Sequence, residues 1–233
     1  KFGISVGDNF YENGVTSIAD TRWRESFEAV YDAPDLQCPW YPVLGNHDHR
    51  GNIDAETQFG RVDPRWQMPA RYYRKSAALA DGTSADFFFL DTTPIVAAKE
   101  GGDSEQLGWL ERELETSKAN WKIAVGHHPV FSGGRHGSNR VLIQRLKPLF
   151  DRFGVQAYFN GHDHDLQHIA VDGVHYLTCG SGADTRRTSA IAGTLFAASQ
   201  LGFMGCMLGP DKLAIVFLSD EGNILHRASI PIT

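Results

Sequence analysis

Four times along this chain a short apolar run ends in a glycine followed by polar residues: Gly7-Asp8-Asn9-Phe10-Tyr11, Gly45-Asn46-His47-Asp48, Gly126-His127-His128-Pro129 and Gly161-His162-Asp163-His164. The runs at Phe2–Val6, Trp40–Leu44, Asp86–Leu90, Lys122–Val125 and Val155–Phe159 are rich in aromatic and β-branched residues and bounded by Gly, Pro or Asp. That composition predicts strands, each short enough to be buried on both faces. Amphipathic helices are predicted over Thr21–Tyr31, Ser104–Thr116 and Asn139–Phe153, the last stopping at Gly154, a natural terminator.

From Asp165 onward the pattern changes. Leu166–Val171, Val174–Thr178, Phe203–Leu208, Leu213–Leu218 and Ile224–Ile230 are separated by turn signals such as Asp172-Gly173 and Glu221-Gly222-Asn223, which predicts a second, largely antiparallel sheet. Gly180 to Gly202 has no clean period and reads as a long loop. The fold class expected is α/β, with two packed mixed β-sheets flanked by helices. The 233 residues, of which 42% are hydrophobic, suit a single domain spanning residues 1–233.

A formal net charge of −6 argues against a sequence-independent grip on nucleic acid or on an anionic membrane, since both need basic surface. No apolar stretch approaches the roughly 20 residues that span a bilayer. Cys38, Cys179 and Cys206 cannot all pair within one chain, match no zinc spacing, and read as small apolar residues.

The motifs place carboxylate, phenol, amide and imidazole groups just beyond strand ends, where loops converge in α/β sheets and ligands bind. Taken singly, Asp8 could be a turn residue, Tyr11 a half-buried aromatic, Asn46 a loop support, and His127 or His162 a core histidine. Jointly those readings fail, because each would have to put a metal-ligating atom at a strand end by coincidence. Two adjacent cations can bind a phosphate ester and supply hydroxide near neutral pH.

Asp8 with Tyr11, Asn46-His47, His127 and the His162/His164 pair resemble the binuclear metallophosphoesterases, and Tyr11 narrows the resemblance to purple acid phosphatases of the small tartrate-resistant type. The resemblance implies a four-layer αββα sandwich and hydrolysis of phosphate monoesters by hydroxide generated at an Fe(III)–M(II) centre. In it Asp8 bridges both ions, Tyr11 and His164 complete the Fe(III) site, and Asn46, His127 and His162 hold a second ion, Fe, Zn or Mn. Hard phenolate and carboxylate oxygens suit trivalent iron. His47 and His136 match the family's outer histidines, which bind phosphate oxygens and help protonate the leaving group.

Asp48 and Asp163 are expected to orient ligand imidazoles, and Asp91 to support the same rim. Arg186 and Arg187 read as solvated, with contact to an anionic substrate as the other reading. A secreted, periplasmic or lysosomal setting, a small phosphate ester as the partner, and neither nucleic acid nor membrane contact complete the expectation. The chain departs from the pattern in three ways. The family's further iron-ligating Asp belongs to an earlier strand, and residues 1–7 contain no Asp, so the domain is expected to be N-terminally incomplete, lacking its first strand and helix. Val141 and the loop between Asp91 and Asp103 lack the cysteines of the family's disulfide, and the Gly180–Gly202 region diverges. A related binuclear phosphodiesterase or nucleotide hydrolase, or a non-catalytic metal-binding homologue with an incomplete first site, are the alternatives.

Overall fold

The computed structural model describes residues 1–80, 82–98 and 104–232, so residues 99–103 of the cysteine-free loop lie outside the described residues. Strands β1 (Gly3–Ser5) and β2 (Trp40–Pro42) pair in parallel as a ribbon, with Ile4 opposite Tyr41. A short helix α1 (Ile53–Gln58) follows, its first turn capped by the Asn52 side chain, which accepts from the N–H groups of Asp54 and Ala55.

The main sheet is assembled from β3 (Tyr73–Ala78), β4 (Ser84–Phe89), β5 (Trp121–Val125), β6 (Ala157–Asn160), β7 (Leu166–Val171), β8 (Val174–Cys179) and β9 (Thr194–Ala198), in the order β3-β4-β5-β6-β8-β7-β9. Its centre, β4-β5-β6-β8, is parallel. The helices α2 (Thr92–Ala97), α3 (Ser104–Thr116), α4 (Arg140–Arg145) and α5 (Lys147–Phe153) lie among these strands in sequence. A third sheet, β10 (Gly202–Leu208), β11 (Lys212–Ser219) and β12 (Ile224–Pro231), is an antiparallel meander.

Two apolar clusters explain the layering. Leu110 and Leu114 of α3, Leu142 of α4 and Phe150 of α5 bury against Phe88, Ala124 and Tyr158, so these helices cover one face of the main sheet. The opposite face, through Phe87, Phe89, Ile123 and Phe159, packs on Leu213, Ile215 and Phe217 of β11 and on Ile4 and Tyr41 of the ribbon. Alternation along β11 is strict: Leu213, Ile215 and Phe217 are buried while Ala214, Val216 and Leu218 are only partly covered, the period-two pattern of a sheet with one face on the core.

Several expectations need correction. The antiparallel sheet expected from Asp165 onward is not one sheet: β7, β8 and β9 complete the main sheet and only β10–β12 stand apart. The loop expected over Gly180–Gly202 contains β9, which borrows its register from β7 through pairs such as His168 with Phe196. The helix expected over Asn139–Phe153 breaks at Leu146, because Pro148 lacks the N–H that would bond back into α4 and is tolerated only in the first turn of a new helix. The Thr21–Tyr31 helix contracts to one π-helical turn, Arg24–Glu28, which buries Phe27. Cys38, Cys179 and Cys206 are free thiols, with Cys38 and Cys179 half-buried and Cys206 exposed. Among the described residues no helix is long and apolar enough to cross a membrane.

Candidate metal centre

The carboxyl ends of β1, β2, β5 and β6 open onto one crevice, and each delivers one of the four motifs. Two backbone positions there are left-handed without being glycine, Asp8 (φ 56°) and His162 (φ 66°). Such conformations cost on the order of 1 kcal/mol or more and collect where the surroundings over-determine them. The surroundings here are tight: a Cβ on Gly45 would stand 2.2 Å from both the amide nitrogen and Oδ1 of Asp8, so only glycine lets the two loops meet.

Asp48 ties those loops together. Its buried carboxylate accepts hydrogen bonds from Gly45 N (2.8 Å), Asn9 N (3.1 Å), Asn9 Nδ2 (3.1 Å) and Phe10 N (3.1 Å). Asn9 Nδ2 also donates to Glu56 Oε2 at 3.2 Å. Burial pushes Asp48 up to about 6 and, with the Asp48 charge added, pushes Glu56 well above its usual range. Asp48 has four N–H donors and Glu56 one, so the charge resides on Asp48 and the proton on Glu56.

The candidate ligands fall into two sets that share Asp8. In the first, Tyr11 Oη is 3.0 Å from Asp8 Oδ2 and 3.1 Å from His164 Nε2. In the second, His127 Nε2 is 3.2 Å from Asp8 Oδ2, 3.2 Å from Asn46 Oδ1 and 3.1 Å from His162 Nδ1. Donors bound about 2.0–2.2 Å from one ion at tetrahedral or octahedral angles stand about 2.8–3.6 Å apart, so both sets have the span a cation would impose.

The outer nitrogens agree. His127 Nδ1 donates to the Val6 carbonyl at 2.8 Å and His164 Nδ1 donates to Asp184 Oδ2 at 3.0 Å, which turns the lone pair of each Nε2 into the crevice. Burial, followed by the neighbouring imidazoles of His127 and His136, holds His162 down at about 3, so it too offers a lone pair. Without a cation, a proton on His127 Nε2 takes its place: burial opposes ionisation of Asp8, but that N–H and the His47 N–H outweigh it and hold Asp8 below the usual carboxylate range, while Asp8 in turn raises His127. Burial and the Asp8 charge raise the Tyr11 phenol, which therefore keeps its proton and donates to Asp8 unless a cation displaces it.

The two outer histidines flank this cluster and share a design. His47 Nδ1 donates to the Glu12 carbonyl at 2.6 Å and His136 Nδ1 donates to Asp163 Oδ1 at 2.8 Å. Each leaves Nε2 as its second ring nitrogen. The His47 ring lies 4.3 Å from that of Tyr11, and the His136 ring 4.1 Å from that of His162.

Two supporting aspartates act differently from expectation. Asp48 clamps N–H groups rather than imidazoles, as described. Asp163 orients His136, an outer histidine, and itself accepts from Ser132 Oγ. Asp91 is fully buried and, among the described residues, its carboxylate pairs with His49 Nε2 (2.8 Å) and Arg71 (2.8 and 3.0 Å). His128, which stands in the third motif without a role legible from sequence, brings its imidazole within 4.8 Å of His127 and His162. The Thr92 hydroxyl accepts from His128 N (3.0 Å) and pairs with His128 Nδ1 (2.8 Å), which fixes that ring as a wall of the crevice. Sequence reasoning missed Asp184, which has no motif around it.

The family model described as calcineurin-like phosphoesterase matches residues 3–166, the stretch that carries all of the candidate ligands. Purple acid phosphatase 7 of Arabidopsis thaliana is 36% identical, over 98% of this chain and 75% of its own length. The chain belongs to the purple acid phosphatases. Tartrate-resistant acid phosphatase type 5 of Oryctolagus cuniculus is 33% identical, over 99% of this chain and 79% of its own. Among solved structures, GAP50, described as the anchor in the inner membrane complex of Plasmodium, superposes with a TM-score of 0.89 at 27% identity, covering 99% of this chain and 78% of that one. Membership of the purple acid phosphatases implies a binuclear metal centre, and the paired donor sets around Asp8 fit one.

Proposed function

We propose that this chain hydrolyses small phosphate monoesters at two metal ions held by the paired donor sets. The reading rests on one observation above all: Asp8 Oδ2 lies 3.0 Å from the phenol of Tyr11 on one side and 3.2 Å from the imidazole of His127 on the other. Asp8 would serve both ions, Tyr11 and His164 would hold Fe(III), and Asn46, His127 and His162 would hold a divalent ion, Fe, Zn or Mn. Two cations side by side supply charge for the phosphoryl oxygens and a water acidic enough to attack near neutral pH.

The chain's own groups do the rest. His47 and His136, each anchored through Nδ1, present Nε2 to phosphate oxygens, and His47 passes a proton to the departing alkoxide. Imidazole suits that step because its pKa lies near the working pH. Asp163 keeps His136 in one tautomer and one orientation. A secreted, periplasmic or lysosomal setting is part of this proposal and follows from family membership alone.

The test combines metal stoichiometry, the visible spectrum and turnover of p-nitrophenyl phosphate against its bis ester. Two ions per chain, a charge-transfer band absent in Tyr11→Phe, and preference for the monoester are expected. Bound metal without turnover of either ester would overturn the hydrolytic reading.

A further inference from the structure

His164 is the ligand whose outer partner no motif announces. Its ring is almost buried, yet Nδ1 meets the carboxylate of Asp184 at 3.0 Å, a residue whose side chain is 62% exposed and lies on the segment between β8 and β9. The same segment also grips the His164 backbone: Arg186 N donates to His164 O at 2.7 Å. Arg186 Nε stands 3.8 Å from Asp184 Oδ2, which restrains the carboxylate from its open side. One stretch of chain therefore sets both the main-chain position and the ring plane of His164.

Resting on the two-ion reading, we propose that Asp184 is a positioning residue for the metal site formed by Tyr11 and His164. Its carboxylate holds His164 in the tautomer that turns Nε2 toward Tyr11 and strengthens that nitrogen as a donor. The contrast with His127 carries the argument. His127 rests its Nδ1 on a neutral carbonyl, Val6 O, whereas His164 rests it on an anion. A carboxylate acceptor leaves more electron density on the ligating nitrogen than a carbonyl does. The better donor is thus placed beside the phenol, where the more highly charged ion belongs.

Exposed ion pairs contribute little to folding, so substitution of Asp184 should leave the fold intact. Metal-free wild type, Asp184→Asn, Asp184→Ala and Asp184→Glu would be titrated with Zn²⁺ alone against a chromophoric chelator, alongside urea unfolding of each. Wild type should take up two ions. Asp184→Asn and Asp184→Ala should weaken one of the two by about 10-fold or more, the scale of losing an outer partner, and leave the other unchanged. Asp184→Glu should recover most of that loss, and all three variants should unfold at the wild-type urea midpoint. Two ions bound with wild-type affinity by Asp184→Asn and Asp184→Ala would overturn the proposal and leave the two-ion reading standing. No uptake by wild type would overturn both.

Discussion

Replacing Asp48 by alanine removes the acceptor for four N–H groups at once, three of them main-chain amides of Asn9, Phe10 and Gly45. Each buried donor left without a partner costs about 1–3 kcal/mol. Relief of repulsion from Asp8 and Glu56, together with water admitted to the cavity, offsets part of this. A net loss of roughly 3–6 kcal/mol is expected, a large share of the roughly 5–15 kcal/mol that holds a typical domain together. The measurement is urea unfolding of the metal-free chain, where the midpoint should fall while the dependence on denaturant stays unchanged, since the surface exposed is the same. Asp48→Asn should lie between, because its carbonyl can still accept from two donors while its NH₂ faces the others. The loops at residues 7–11 and 45–48 carry Asp8, Tyr11 and Asn46, so metal affinity should fall with stability. A stability change under about 1 kcal/mol for Asp48→Ala, below what even one orphaned donor costs, would refute the claim that Asp48 fastens these loops.

Three further outcomes are expected. His47→Ala should lower kcat by roughly 10² with metal content intact; an unchanged kcat would remove His47 from proton transfer. Chelation should lower the thermal midpoint: each ion present at about a thousand times Kd stabilises by ~4 kcal/mol, equivalent to about 8–16 °C per ion for a chain of this size, and a midpoint indifferent to chelator would deny a bound pair. The third concerns pH. His168 Nδ1 lies 3.0 Å from His226 Nε2 and His168 Nε2 lies 2.8 Å from His175 Nδ1, and burial, then those two neighbours, push His168 down to about 3. The unfolded chain therefore binds a proton that the folded one refuses, so this contribution is complete above about pH 6.5 and is lost as pH falls toward 3. His168→Gln, which keeps a donor and an acceptor, should flatten the decline in urea midpoint between pH 7 and pH 5; an identical slope would discount the trio.

The strands that deliver ligands were legible because each is an apolar run ending in glycine. Leu166–Val171 and the helix Ser104–Thr116 also have the predicted bounds, since turn signals or strong apolar periodicity mark them. What escaped was decided by tertiary contact. β3 reads Tyr-Arg-Lys-Ser-Ala-Ala, too polar to declare itself, and exists as an edge strand because β4 offers it a ladder. β9 is held by β7 in the same way. At the site, residue types announced the donors, but not that Asp163 serves His136, that Asp48 serves amides, or that Asp184 reaches His164. Those pairings join positions 20 or more residues apart, except for the contact of Asp48 with Gly45.

Among the described residues the β1–β2 ribbon shares no ladder with the main sheet. It is seated by side chains, including Phe2, whose ring meets those of Tyr41 and Phe87 edge-on at 5.4 Å, and by the tether from His127 to Val6. Half the donors thus ride on a raft moored to the other half by packing and a few hydrogen bonds, and the spacing between the two donor sets becomes a reporter of how well that mooring fits. Trimming Phe2, which contributes no donor itself, would be felt as a change in that spacing before it was felt as unfolding.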